Sequence, residues 1–213
     1  MVPAITLSLT LVNLAPSAHF SGIRTSLVDC SSRCYHNTSC SSFFYYKGSG
    51  SGYCKVNTVV YSVVQDSLVG FRNMMYYEWK HVNCDESAGW KFQRASWLCF
   101  KVVTAKATHT AAKSSCNLLT ANTQSKVDQA YLIASKKDER VWVGGVKGSG
   151  AWRWLSGKAF DDFEAWDDGY PEGGKDCMIV VKSTPKWASD TCSKDRVYMC
   201  EVSIQPETSY CNY

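Results

Sequence analysis

The stretch PKWASDTCSKDRVYMC, Pro185 to Cys200, decides how the second half of this chain is read. Cys192 and Cys200 frame a short basic segment, and Trp187 stands five residues before the first of them. Between that tryptophan and Cys192 lie Ala188, Ser189, Asp190 and Thr191, which offer one carboxylate. Cysteines that fasten a scaffold and a sparse set of oxygen ligands raise the question of what such a surface can bind.

Composition limits the answers. A chain of 213 residues, 45% apolar and 13% aromatic, suits one medium domain or two small ones, each with a modest core. Its 23 basic and 19 acidic residues are interspersed, and the net charge of +4 forms no block that would suit nucleic acid. Eleven cysteines at irregular spacing point to disulfides in an oxidising, extracellular compartment. Zinc would need paired C-x2-C units or histidine partners, and Cys30, Cys34, Cys40 and Cys54 supply neither.

The apolar run from Ala4 to Ala15, followed by Ala15-Pro16-Ser17, reads as a secretory signal peptide over residues 1–18. The alternative is an ordinary first strand, because Thr6, Ser8, Thr10 and Asn13 interrupt the run and the first basic residue is Arg24. No uncharged apolar run reaches the ~18 residues of a spanning helix, so no membrane span is expected.

In DCSSRCYHNTSCSSFFYYKGSGSGYCKV, Asp29 to Val56, a spacing of four puts Cys30 and Cys34 on one helix face. Ser41–Tyr46 and Tyr53–Val56 read as strands about the loop Gly48–Gly52, so a hairpin carries Cys40 and Cys54. This pattern of Cys30, Cys34, Cys40, Phe43, Tyr45 and Cys54, closed by VGFRNMMYYEWK from Val69 to Lys80, resembles the PAN/apple module. The resemblance implies a helix-on-sheet domain over residues 19–83 with Cys30 bonded to Cys54 and Cys34 to Cys40. An outer disulfide found in many apple modules has no counterpart. A protein partner through this module is a further expectation.

From Cys84 the chain changes character. WLCFKVV reads as a strand, Thr110 to Leu119 as helical around Cys116, and Ser125 to Ser135 as a helix opened by a Ser-x-x-Asp cap. The strands VWVGG, WRWLSG, KDCMIVV, KWASDTC and VYMCEV follow. In this order, with the opening C…GW…CF and the closing Y-x-C-E, residues 84–203 resemble a long-form C-type lectin-like domain, and residues 204–213 form a polar tail. The fold class is then α+β with two disulfide-stapled modules. The family pattern implies the pairs Cys84–Cys99, Cys116–Cys200 and Cys177–Cys192. Cys211 is left over, and an interchain bridge linking two copies is favoured over a free or capped thiol.

In sugar-binding members of that family calcium takes most of its six to eight oxygen ligands from five side chains. Here those positions hold Tyr170 and Glu172 about Pro171, then Lys175, Ala188 and Ser189, so one carboxylate remains. An ammonium at Lys175 opposes a divalent cation. The expectation is that no metal or other cofactor is bound, with a shifted cluster of Asp167, Asp168, Glu172, Asp176 and Asp190 as the lesser alternative. The ligand-binding surface is expected at Tyr170, Glu172, Lys175, Ser189 and Asp190. Trp142, Trp152, Trp154, Trp166 and Trp187 are read chiefly as packing residues.

Catalytic motifs are missing. His19, His36, His81 and His109 lack a metal-binding spacing, no G-x-S-x-G occurs, and KGSGSG and GVKGSG suit hairpin tips. Asp161-Asp162 and Asp167-Asp168 are adjacent and on a strand would face opposite ways. Asn37-Thr38-Ser39 is a glycosylation acceptor. The sequence therefore predicts a secreted, non-enzymatic protein that recognises carbohydrate or glycoprotein; the alternatives are a calcium-independent protein-binding adhesion component and a matrix structural protein.

Overall fold

The computed structural model describes residues 5–17, 21–160 and 163–204. The first module runs β1 (Ile5–Ala15), β2 (Ile23–Thr25), α1 (Leu27–His36), β3 (Ser42–Lys47), β4 (Gly52–Asn57) and β5 (Val69–His81). Helix α1 starts where Ser26 accepts a hydrogen bond from the Asp29 N–H at 3.0 Å, satisfying a donor that a helix start leaves open. Its buried face holds Cys30 and Cys34, bonded to Cys54 and Cys40 respectively, so the helix is stapled to the β3–β4 hairpin.

The five strands form an antiparallel sheet in the order β1-β5-β3-β4-β2. The described part of the stretch read as a signal peptide, residues 1–18, takes strand form here. Ile5–Ala15 lies along β5, with Ile5 opposite His81 and Ala15 opposite Val69. The alternation of Ile5, Leu7 and Leu9 with Thr6 and Ser8 is the period of a strand with two unlike faces.

The second module contains β6 (Lys91–Gln93), β7 (Leu98–Ala107), α2 (His109–Ser115), α3 (Gln124–Lys137), β8 (Val141–Gly148), β9 (Ala151–Trp154), β10 (Cys177–Val180), β11 (Trp187–Asp190) and β12 (Arg196–Ser203). Its sheet has the order β11-β10-β8-β12-β7-β6, with β9 paired to β8 and a parallel contact between β12 and β8. The glycines of VWVGG permit close approach: a Cβ on Gly144 would lie 2.8 Å from the Leu118 carbonyl oxygen. The expected cap at Ser125 is absent. Helix α3 begins one residue earlier, with Thr123 at the N-cap making no side-chain capping bond, and Ser125 instead meets Ser96.

Three further disulfides join Cys84 to Cys99, Cys116 to Cys200 and Cys177 to Cys192. In the chain-entropy picture the 84-residue link restricts the unfolded chain by about 4.5 kcal/mol. Cys211 and the tail beyond Ile204 lie outside the described residues, as do His19, Asp161 and Asp162.

The modules share their interior. One apolar cluster gathers Val60 and Val64, just after the hairpin, with Phe100, Leu119, Val127 and Ile133 of the second module. Gln129 on α3 accepts from the Val60 N–H at 2.7 Å and donates to the Val60 carbonyl at 3.1 Å. The Arg94 guanidinium donates to the carbonyls of Cys34, Tyr35 and Asn37 at the end of α1, and lies 4.7 Å above the Trp79 ring. A helix end exposes carbonyls without partners, and a guanidinium fork fits them.

Candidate functional site

Between Trp154 and Cys177 the chain has no named strand or helix among the described residues. It is held from below instead. Trp187 is fully buried, its N–H donates to the Ala165 carbonyl at 2.6 Å, and its carbonyl accepts from the Asp167 N–H at 2.8 Å. Trp154, Phe160, Phe163 and Trp166 surround its indole at centroid distances of 5.4–5.7 Å. Packing accounts for Trp142, Trp154 and Trp187, all buried. Trp152 and Trp166 are half-buried and meet edge to face at 4.8 Å. The Cys177–Cys192 bond closes the far side, and the His109 N–H donates to the Cys192 carbonyl at 3.0 Å.

On this base the loop turns outward. The Tyr170 N–H donates to the Asp167 carbonyl at 3.0 Å, and the Glu172 N–H donates to Ser189 Oγ at 2.8 Å, tying the loop to β11. The Lys175 ammonium lies 2.6 Å from Glu172 Oε2. That hydrogen bond from Lys175, with its charge, holds the Glu172 carboxyl below its ordinary value, and the same bond holds the Lys175 ammonium above its own. Tyr170, Glu172, Lys175 and Ser189 are thus brought together.

Asp190 belongs to the support. It is 5% exposed and accepts from Arg196 Nε at 3.2 Å and Nη2 at 2.9 Å, from Arg140 at 3.5 Å, and from the Thr191 N–H at 2.8 Å. Burial pushes its carboxyl upward, but the hydrogen bonds from Arg196 and Thr191 and the charges of Arg196 and Arg140 hold it below the ordinary value. Neither arginine was singled out by sequence reasoning. Arg140 lies 50 residues from its partner, and no local motif marks such a pair.

The donor set does not fit a calcium shell. Glu172 is the carboxylate left among the five pattern positions, and it is engaged by an ammonium at hydrogen-bond distance. Ala188 is buried and has no side-chain oxygen, and Ser189 is 1% exposed with its hydroxyl accepting from the loop. The shifted acidic cluster does not form either. Asp167 and Asp168 both face Lys186, at 3.6 and 3.3 Å, Glu172 faces Lys175, and Asp190 faces Arg196. Among the described residues no three acids, histidines or cysteines gather in a group suited to a metal. Four of the five carboxylates are thus engaged by lysines or arginines, with Lys186 shared between Asp167 and Asp168.

Asn37 is exposed at the C-cap of α1, where its side chain accepts from the Ser39 N–H at 3.0 Å. A 430 Å³ cleft lies at the module junction, between Val59, Tyr61, Tyr131 and Leu132, with Pro185 on its wall. No helix among the described residues is long and apolar enough to cross a membrane.

Known proteins share the two domains. The C-type lectin domain family matches residues 101–202, and the PAN domain family matches residues 14–81. Among curated proteins the chain is similar to asialoglycoprotein receptor 2 of Mus musculus, 24% identical over 86 residues. That match covers 36% of this chain and 28% of the length of the receptor. Among solved structures, the EPNH mutant of CEL-I, a C-type lectin of Cucumaria echinata, superposes with a TM-score of 0.51 at 14% identity, covering 58% of this chain and 99% of that one. Human lithostathine superposes with a TM-score of 0.50 at 24% identity, covering 58% and 92%. At such identities the structural likeness concerns the fold. The chain therefore carries a PAN domain followed by a C-type lectin domain.

Proposed function

We propose that this chain is an extracellular recognition protein whose C-type lectin domain binds a glycan or glycoprotein without the calcium shell of sugar-binding lectins. The observation that carries the reading is the Lys175–Glu172 ion pair at 2.6 Å, lying where the family pattern would put carboxylate ligands. A site of this kind recognises through Tyr170, whose ring can cover the apolar face of a sugar, and through the paired charges beside it, which hydrogen-bond hydroxyls or an epitope. Binding rather than turnover follows from the chemistry: Glu172 and Lys175 neutralise each other, and no nucleophile with an adjacent base accompanies them among the residues of this surface. Five disulfides support an oxidising compartment.

A glycan array probed with calcium and again with chelator tests this. Binding to defined glycans that is equal in both conditions supports the proposal. Binding abolished by chelator overturns the calcium argument. A blank array with capture of a defined protein epitope turns the reading toward an adhesion component, which the exposed Val28 and Tyr35 of the PAN domain favour.

A further inference from the structure

The sheets of the two domains end differently. The lectin sheet finishes in β6, three residues long, and in β11, whose four residues are all buried and which Trp166 bridges at its start. The PAN sheet finishes on one side in β2, three residues that include Arg24. Short strands and charged side chains are the usual protection of an open edge. On its other side it finishes in β1, eleven residues without a charge, with Leu9 and Val12 50% and 55% exposed. Backbone donors and acceptors along such an edge are satisfied by another strand.

We propose that β1 is a dimerisation edge, at which two copies of this chain pair antiparallel about a two-fold axis at Leu7 and join their PAN sheets into one. The segment available for this is set by the register with β5. It is regular from Ile5 to Leu9, whereas irregularities interrupt it between Leu9 and Leu11 and again between Val12 and Leu14. Bulges bend a strand and disturb its ladder locally, so the regular segment Ile5–Leu9 is the part along which a partner aligns. Antiparallel self-pairing centred on Leu7 sets Leu7 against Leu7 and Ile5 against Leu9 on one face, and Thr6 against Ser8 on the other.

Every cross-strand pair is then apolar with apolar or hydroxyl with hydroxyl, combinations that stabilise a sheet. The apolar face is also the helix side. Leu7 lines a groove with Val28, Tyr35 and Trp79, and Val28 and Tyr35 are 74% and 61% exposed. A second copy crossing the edge lies beside these side chains. The two-fold arrangement consumes the open edge of each copy at once, and so stops at two.

Sedimentation equilibrium of the full chain tests the proposal, with Cys211→Ser present throughout to remove any disulfide route to a dimer. A reversible dimer is expected, weakened at least about tenfold by Leu9→Lys and unchanged by Val12→Lys, which adds the same charge beyond the first irregularity. A monomer at every concentration, species that grow past the dimer, or equal weakening by both substitutions overturns it. Amide exchange on the chain with native β1 gives a second readout that holds even if Leu9→Lys does not fold. Added protection confined to Ile5–Leu9 on dimerisation supports the edge, and protection elsewhere refutes it.

Discussion

The loop surface around Tyr170 is built from irregular chain and the junction between the two domains largely from helix and strand, and their polar groups are spent differently. At the junction they are turned inward. Arg94 serves three carbonyls of the PAN domain, Gln129 satisfies both backbone groups of Val60, and Gln93 donates to Thr58 and Ser125 carbonyls. In the loop surface only the lower layer is spent this way, by Asp190 with Arg196 and by the backbone bonds of Trp187. The upper layer of Tyr170, Glu172 and Lys175 stays at the surface. A group whose hydrogen bonds are met inside the protein specifies shape, whereas one met by a single exposed neighbour can exchange that neighbour for a ligand at small cost.

Four outcomes would break or sharpen this contrast. The largest effect is expected below the loops. Trp187→Ala removes the indole around which Trp154, Phe160, Phe163 and Trp166 pack, and a loss of about 3–5 kcal/mol in denaturant unfolding, with loss of ligand binding, is expected. A loss under about 1 kcal/mol would mean that the disulfides alone hold the loops.

The junction comes next. Arg94→Ala leaves the end of α1 without its donors and Trp79 without its cation, at about 1–3 kcal/mol. Because the apolar cluster spans both domains, the variant should still unfold in one transition by calorimetry. Two separated transitions would show that Arg94, rather than shared burial, couples the domains.

A smaller effect is tied to pH. His109 is 2% exposed and its Nε2 lies 3.1 Å from the Val143 carbonyl, so the ring is neutral and donates there. Burial lowers its proton affinity, the bond to Val143 opposes this, and the Lys113 charge adds to the lowering. The unfolded chain therefore binds the proton first as pH falls below about 6.5, and the stability present above that value declines as pH drops toward the folded pKa. His109→Gln should flatten this slope in a series of melting curves. Asp190, held low, contributes at neutral pH and loses its contribution only as pH falls below the ordinary aspartate range, so its effect is separable.

The smallest effect on stability is expected at the rim. Lys175→Ala removes an exposed ion pair and should leave the melting temperature in place while changing affinity for any glycan found on the array. If it also makes binding calcium-dependent, the ammonium is what keeps the cation away.

Much of this was legible beforehand because it rests on local spacing. Cys30 and Cys34 fall on one helix face whatever surrounds them, and the Gly-rich loop at Gly48–Gly52 separates two runs of strand formers. The interrupted run Ile5–Ala15 was ambiguous for the same reason: an apolar stretch with polar insertions satisfies both a leader and a strand. In the fold the run pairs with a strand 60 residues away, a contact that local spacing does not contain. The Ser125 cap failed because Ser96, distant in sequence, occupies that hydroxyl.

By itself the sequence determined that the chain is two disulfide-stapled modules of recognisable pattern, and that oxygen ligands are scarce after Trp187, because residue identity and spacing are local properties. Only the tertiary structure decided which carboxylates remain at the surface. Asp190 and Glu172 look alike on the page, but folding buries the first between arginines from positions 140 and 196 and leaves the second outside with one lysine. Charge pairing depends on distance in space, and chain order does not contain that distance.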